Sequence, residues 1–412
     1  MKKFLFFIFF PLLVFTSCND SVSDDNVLPT VNAEKTIFMY LPWTGDNNNL
    51  YNNFLQNIKD IEQAIVDENG IGNKNLMIFI SKDATHGSLM KVNYSNGACT
   101  HDTLRTYENT ETSSLNLALN SSHWITYILN QVKSYAPADT FSMIVGCHGM
   151  GWIKASDYNS ATTASSKRMI MAHRNFDGPP TRWFGGERIM TDISTLATGI
   201  AASNVKKLQY ILFDDCYLSN IETAYDLKSV TRYLIACPTE IMAYGMPYAK
   251  LWKYLADDNP DYKAICNEFY NFYNSYTYNG SDYNCGTIGV TDCAQVDSMA
   301  TIMKEINTKY TFDTTLTDSL QIMDGYDPSI FFDFDDYVHH LCTDATLLSR
   351  FDQQLTNVVP FKANTTSYYS ALPWRPGKHP IKTFSGTTIS DPSTSNYAST
   401  GKKTTAWYTA TH

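Results

Sequence analysis

Residues 208–213 form a short run of apolar, β-branched and aromatic side chains that ends in two acids and a thiol, Asp214, Asp215 and Cys216. Such a run reads as a buried strand. Beyond Cys216, Leu218, Ile221, Tyr225 and Leu227 recur at roughly helical spacing, with Glu222 and Asp226 between them. A thiol is thus expected where a strand gives way to a helix. In an open α/β sheet that end of the strands is where ligands bind, and a helix N-terminus lowers a cysteine pKa. A lone cysteine is more often a buried, inert packing residue, so the reading needs a second element.

That element lies upstream. Residues 141–145 read as a strand running directly into Gly146, Cys147, His148, Gly149, Met150 and Gly151. The glycines permit sharp turns and close approach, and His148 falls at a strand end as Cys216 does. A cysteine nucleophile needs an imidazole to manage protons, and the two need only be neighbours in space. The pair His86 and Gly87 follows a polar loop and is read as a turn.

Around these elements, residues 36–41 and 76–80 read as strands and 49–66 as a helix. Residues 89–94 and 103–107 resemble a hairpin, and 115–132 a helix. Strands alternating with helices argue for an α/β fold with a mostly parallel sheet flanked by helices. After Trp152 the apolar pattern stops, and residues 154–182 read as a long exposed loop carrying Lys167, Arg168, Arg174 and Arg182. Residues 189–200 suggest a helix capped by Thr191 or Asp192. Residues 232–236 then form a strand ending in Cys237, Pro238, Thr239 and Glu240, and 286–290 a late strand. Helical patterns at 251–255, 262–276, 299–306 and 331–341 give a mainly helical C-terminal part.

The N-terminus has its own character. Residues 1–17 combine two lysines, an apolar run and small residues before Cys18, the form of a secretory signal. The ending Phe15, Thr16, Ser17, Cys18 resembles a bacterial lipobox, which implies a lipidated Cys18 and a membrane-anchored lipoprotein of the cell envelope. Residues 18–33 are polar and fit a flexible tether. The expected organisation is signal 1–17, tether 18–33, main domain 34–290 and C-terminal extension 291–412. A net charge of −10 with no basic cluster argues against a nucleic-acid partner. A catalytic Cys216 must stay reduced, so the remaining mature cysteines do not imply a full disulfide set.

The motifs FSMIVGCHGMGW, YILFDDCYLSNIETAYDL and YLIACPTEIMAYGMPY together resemble the clostripain family of cysteine peptidases, over roughly residues 34–290. The resemblance implies a caspase-like fold, peptide substrates, and a dyad of His148 and Cys216 with the backbone N–H groups of Gly149 and Cys216 stabilising the oxyanion. It implies that Asp214 binds Arg or Lys before the scissile bond and that the loop through Ala243, Tyr244, Gly245, Met246, Pro247 and Tyr248 lines the specificity pocket, with Glu240 as a second acidic pocket residue or, alternatively, a solvated loop glutamate. It also implies self-cleavage in the 154–182 loop, with Lys167 and Arg168 as candidates. No cofactor or metal is expected, and a calcium requirement and the oligomeric state are left open. Asp215 stands where the family commonly has alanine; strand alternation sends it to the face opposite Asp214 and Cys216. The alternative to a pocket role is that Asp214 caps the following helix or ties down the loop. Two rival classes are an inactive relative or aromatic-rich surface binding protein (27 Tyr, 22 Phe, 7 Trp), and a metal hydrolase using Cys147, His148 and Cys216. The absence of HExxH and of paired CxxC argues against the latter.

Overall fold

In the computed structural model, nine strands among the described residues form one sheet, and the thiol and imidazole lie where its central strands end. The structure describes residues 32–42, 50–83, 86–108, 121–157, 178–182 and 190–412; Cys18, Lys167 and Arg168 fall outside them. Residues Ala33–His412 make one unit.

The strands are β1 (Ala33–Leu41), β2 (Lys74–Ser81), β3 (His86–Ser95), β4 (Ala98–Glu108), β5 (Ala138–Val145), β6 (Leu208–Phe213), β7 (Thr231–Ala236), β8 (Thr287–Asp292) and β9 (Phe361–Asn364). Their order is β9-β8-β7-β6-β5-β1-β2-β3-β4. The middle five strands run parallel, and antiparallel strands complete both edges. Parallel neighbours require crossovers, and the helices between them supply these.

Both faces of the sheet are buried, which explains why the central strands read as continuous apolar runs. Along β1, Phe38 and Tyr40 join one core while Ile37, Met39 and Leu41 join the other. The first core packs α2 (Ser122–Tyr135), α3 (Ile193–Ala202) and α4 (Ile221–Leu227), with Trp124, Ile200 and Ile221 among its members. The second packs α1 (Tyr51–Asp67), α5 (Tyr248–Ala256) and α6 (Tyr262–Tyr273), through Phe54, Trp252 and Phe269. In the C-terminal part, α7 (Val296–Lys309), α8 (Phe334–Leu341) and α9 (Ala345–Val358) extend the first core.

Several expectations need correcting. His86 and Gly87 open β3 instead of forming a turn, because Gly87 has no side chain to collide with Phe79; a Cβ there would meet its ring at 2.9 Å. The helix after Cys216 begins only at Ile221, capped by Asn220, whose side chain accepts from the Thr223 N–H. Asp192 does sit at the N-cap position of α3, but its carboxylate accepts from the Ala155 N–H instead of capping the helix. Residues 361–364 showed no strand pattern, being a half-exposed four-residue edge; α9 was likewise missed.

The ends of β5 and β6 meet closely. The Asp214 N–H donates to the Val145 carbonyl at 2.8 Å, continuing the pairing past the strand. A Cβ on Gly149 would lie 2.1 Å from the Cys216 carbonyl oxygen and 2.9 Å from the Asp215 Cβ. Only a residue without a side chain lets the segment after His148 lie against the backbone of Cys216.

Candidate active site

Asp214, Asp215 and Cys216 leave the sheet with alternating directions, and each carboxylate finds a different partner. Asp214 is fully buried and accepts from the Met246 N–H at 2.9 Å and from Tyr248 Oη at 2.8 Å. Its Oδ2 also lies 2.8 Å from Nη1 of Arg182, an ion pair closed to solvent on both sides. It therefore caps no helix.

Arg182 falls at the end of the stretch read as an exposed loop, yet it is entirely buried. The reason is a pocket that satisfies the whole guanidinium. Besides Asp214 Oδ2, Nη1 donates to the Asp214 carbonyl at 2.7 Å. Nη2 donates to Asn57 Oδ1 at 2.6 Å and the Tyr244 carbonyl at 3.2 Å, and Nε to the Ala243 carbonyl at 3.3 Å. The Phe54 ring lies 5.3 Å away, within cation–π range. Gly245, at φ 80°, makes room: a Cβ there would sit 2.1 Å from Nη2. Burial pulls the Arg182 pKa down, but Asp214 together with Tyr248, Asp215 and Tyr273 more than offsets this, and the guanidinium is held charged. Gly245 and Tyr248 belong to the YLIACPTEIMAYGMPY motif; Asn57 was not anticipated, and its only sequence trace was a polar residue on the otherwise apolar buried face of α1.

The backbone of residues 180–182 runs antiparallel to residues 241–243. The Arg182 N–H donates to the Ile241 carbonyl at 2.9 Å, the Ala243 N–H to the Pro180 carbonyl at 2.8 Å, and Thr181 bridges Met242. Arg182 also touches the imidazole: its carbonyl accepts from His148 Nδ1 at 2.7 Å, which fixes Nδ1 as the protonated nitrogen in this contact. On the other side, the Ile241 N–H donates to Cys216 Sγ at 3.3 Å. His148, Arg182, Ile241 and Cys216 thus form one connected chain of contacts.

Cys216 is fully buried. Burial pushes its thiol well above the ordinary value, Glu240 adds to this, and the Ile241 N–H opposes it. A helix N-terminus does not lower it, because α4 starts at Ile221. Glu240, read as a pocket residue, is buried and accepts from Tyr217 Oη at 2.7 Å, Ser370 Oγ at 2.5 Å, the Ala371 N–H at 2.9 Å and Thr181 Oγ1 at 2.6 Å. His86 is exposed and bonded to Asp83.

Asp215 points to the opposite face and binds Cys147, accepting from its N–H at 2.5 Å and its Sγ at 3.3 Å. Cys147, His148 and Cys216 do not form a metal-binding group. Among the described residues the one such cluster is Asp335, His339 and Asp352, where His339 already pairs with Asp352 at 2.9 Å and Asp335 at 3.6 Å. All eight described cysteines are free thiols.

Burial raises the Asp215 carboxyl from 3.8 to about 7, against the pull of the Cys147 N–H and of Arg182. The fold therefore favours its protonated form. The associated stability is complete below the unfolded value and is lost as pH rises towards 7. In Asp215→Asn this term vanishes. Thermal melts should show wild type losing stability relative to the variant between about pH 4 and 7; melting curves that stay parallel across this window would refute the assignment.

No curated protein matches the chain significantly. Among solved structures, a secreted C11 cysteine protease from Bacteroides thetaiotaomicron, "iotapain", is 48% identical with a TM-score of 0.79, covering 93% of this chain and 100% of its own. A clostripain from Bacteroides thetaiotaomicron ATCC 29148, in complex with the peptide inhibitor BTN-VLTK-AOMK, is 56% identical with a TM-score of 0.52, covering 56% of this chain and 99% of that one. An inactive zymogen C11 protease from Parabacteroides distasonis shares the fold, with a TM-score of 0.74 at 24% identity over 94% of this chain and 100% of its own. The sequence model of the clostripain family, peptidase C11, matches residues 42–363. With its α/β sheet, the motif residues gathered at the ends of β5 and β6, and this match over most of its length, the chain belongs to the clostripain family of cysteine peptidases.

Proposed function

We propose that this cysteine peptidase cuts peptide bonds after arginine or lysine, using Cys216 and His148, and that its own Arg182 is its first substrate. The observation that carries the reading is Arg182 itself. A guanidinium lies fully bonded against Asp214, its backbone runs as an added strand along residues 241–243, and its carbonyl meets His148. This is how an extended peptide is held by β-strand addition, with main-chain bonds fixing register and a pocket reading one side chain. The clostripain crystallised with BTN-VLTK-AOMK supports it, since lysine ends that peptide.

In the reaction, His148 takes the Cys216 proton, and the thiolate attacks the carbonyl carbon of the basic residue. The N–H groups of Gly149 and Cys216 stabilise the resulting oxyanion. The C–N bond then breaks, and His148 delivers its proton to the departing amine. Water hydrolyses the thioester, releasing the new carboxyl end and restoring the thiol. While Arg182 fills the pocket no other basic side chain can enter, so cutting the Arg182–Trp183 bond would open the site. Lys167 and Arg168, the sites expected earlier in this stretch, lie outside the described residues. Asp214 discriminates because a buried carboxylate facing an apolar side chain is left unpaired, at a cost of several kcal/mol.

Export is supported by the secreted relative and by the signal-like N-terminus, with Cys18 as lipid carrier. No helix among the described residues is long and apolar enough to cross a membrane.

A panel of fluorogenic peptides varying only the last residue should show cleavage after Arg and Lys and little after apolar or acidic residues. Cys216→Ala and His148→Ala should each abolish turnover, and Asp214→Asn should lose at least about 100-fold on Arg substrates but far less on neutral ones. An equal loss on all substrates would remove Asp214 from the pocket role. Intact-mass analysis of wild type beside Cys216→Ala should reveal a new C-terminus at Arg182 only in wild type; an intact wild-type chain, or the same cut in the inactive variant, rules out self-cleavage there. Cys18→Ala should move active enzyme from the membrane fraction to the soluble one, and membrane retention would point to another anchor.

A further inference from the structure

The residue before Arg182 has a partner of its own. Thr181 is buried, and its hydroxyl donates to Glu240 Oε2 at 2.6 Å. We infer that Glu240 selects threonine or serine at the substrate position immediately preceding the basic residue. This rests on the reading that Arg182 marks the pocket for the basic side chain.

Glu240 is separate from that pocket. The guanidinium is bonded by Asp214, Asn57, Ala243 and Tyr244, while the Glu240 carboxylate is held by a different set of donors. Its Oε1 accepts from Tyr217 Oη and Ser370 Oγ, and its Oε2 from the Ala371 N–H. These donors come from the turn after Cys216 and from the C-terminal part of the chain. Tyr217 reaches its position with φ 60°, a conformation rare for a side chain of this size. Ser370 fits because Gly325 lacks a side chain; a Cβ there would lie 2.0 Å from Ser370 Oγ. The carboxylate is therefore aimed by residues outside the 178–182 segment, and that segment supplies only the remaining donor, to Oε2.

Main-chain bonds on either side, Arg182 N–H to Ile241 and Ala243 N–H to Pro180, fix where the intervening side chain must fall. A threonine or serine there brings a hydroxyl to a buried carboxylate. Valine has the shape of threonine but sets a methyl against the oxygen, leaving a buried charge one donor short. A hydrogen bond to a charged group is worth more than a neutral one, and a site built around a hydroxyl rejects the analogue without it.

The test uses peptidyl coumarins that keep Pro and Arg at the positions of Pro180 and Arg182 and place Thr, Ser, Val or Ala between them. Wild-type kcat/KM should favour Thr over Val by about 10-fold or more, and Glu240→Gln should shrink the ratio below about threefold. Equal wild-type rates on Thr and Val overturn the inference whether or not the variant folds. A ratio that survives intact in an active Glu240→Gln enzyme overturns it too. Loss of the Thr preference with Arg still required leaves the specificity reading standing. Failure to cut any of these Arg peptides, after self-cleavage has run, fails that reading and this inference together.

Discussion

The site depends on one buried ion pair, Arg182 with Asp214. Neither partner is accessible to water, so each would carry a heavy desolvation cost alone. What makes the pair tolerable is completeness. The guanidinium has acceptors from Asn57, Ala243, Tyr244 and Asp214, and the carboxylate has donors from Met246 and Tyr248 as well. A pocket of this kind is strict about its occupant, because a smaller or apolar side chain would strand the carboxylate and several carbonyls. Cation binding, main-chain pairing and contact with His148 all converge on this one residue.

The sheet makes that convergence possible. Parallel strands β5 and β6 end at the same level, so the two segments that leave them lie side by side, and Gly149 lets them touch. The next strand, β7, ends beside them and leads into residues 239–248, which hold the pocket carbonyls and pair with the 180–182 segment. Three consecutive strand ends therefore supply the imidazole, the thiol and the backbone edge that pairs with residues 180–182. The C-terminal part closes the arrangement: Phe361–Asn364 adds an edge strand, and Ser370 and Ala371 position Glu240.

The thiol is buried in the same arrangement. Cys216 bonds to the backbone of Ile241, and its surroundings favour the neutral form. Asp215, one residue away, leaves it largely alone by turning towards Cys147, as strand alternation requires.

By itself the sequence determined the elements that local chemistry dictates. Apolar runs bounded by glycines and acids marked β1, β2, β5, β6 and β7, and helical spacing marked α1 and α2, since both depend on periodicity within a few residues. It also placed His148 and Cys216 at strand ends, and Asp214 on the same face as Cys216. Tertiary structure alone decided what fills the pocket. Arg182 lies 34 residues from His148 and 32 from Asp214 in a polar stretch that reads as solvent-exposed. Its burial follows from acceptors on α1, just past the end of β6 and on the 243–244 turn, and no local pattern encodes their meeting. The same holds for Glu240, which looks like a solvated loop residue until Ser370 arrives from 130 residues away. Periodicity records which face of an element is apolar; the partner of a buried charge depends on how distant elements pack.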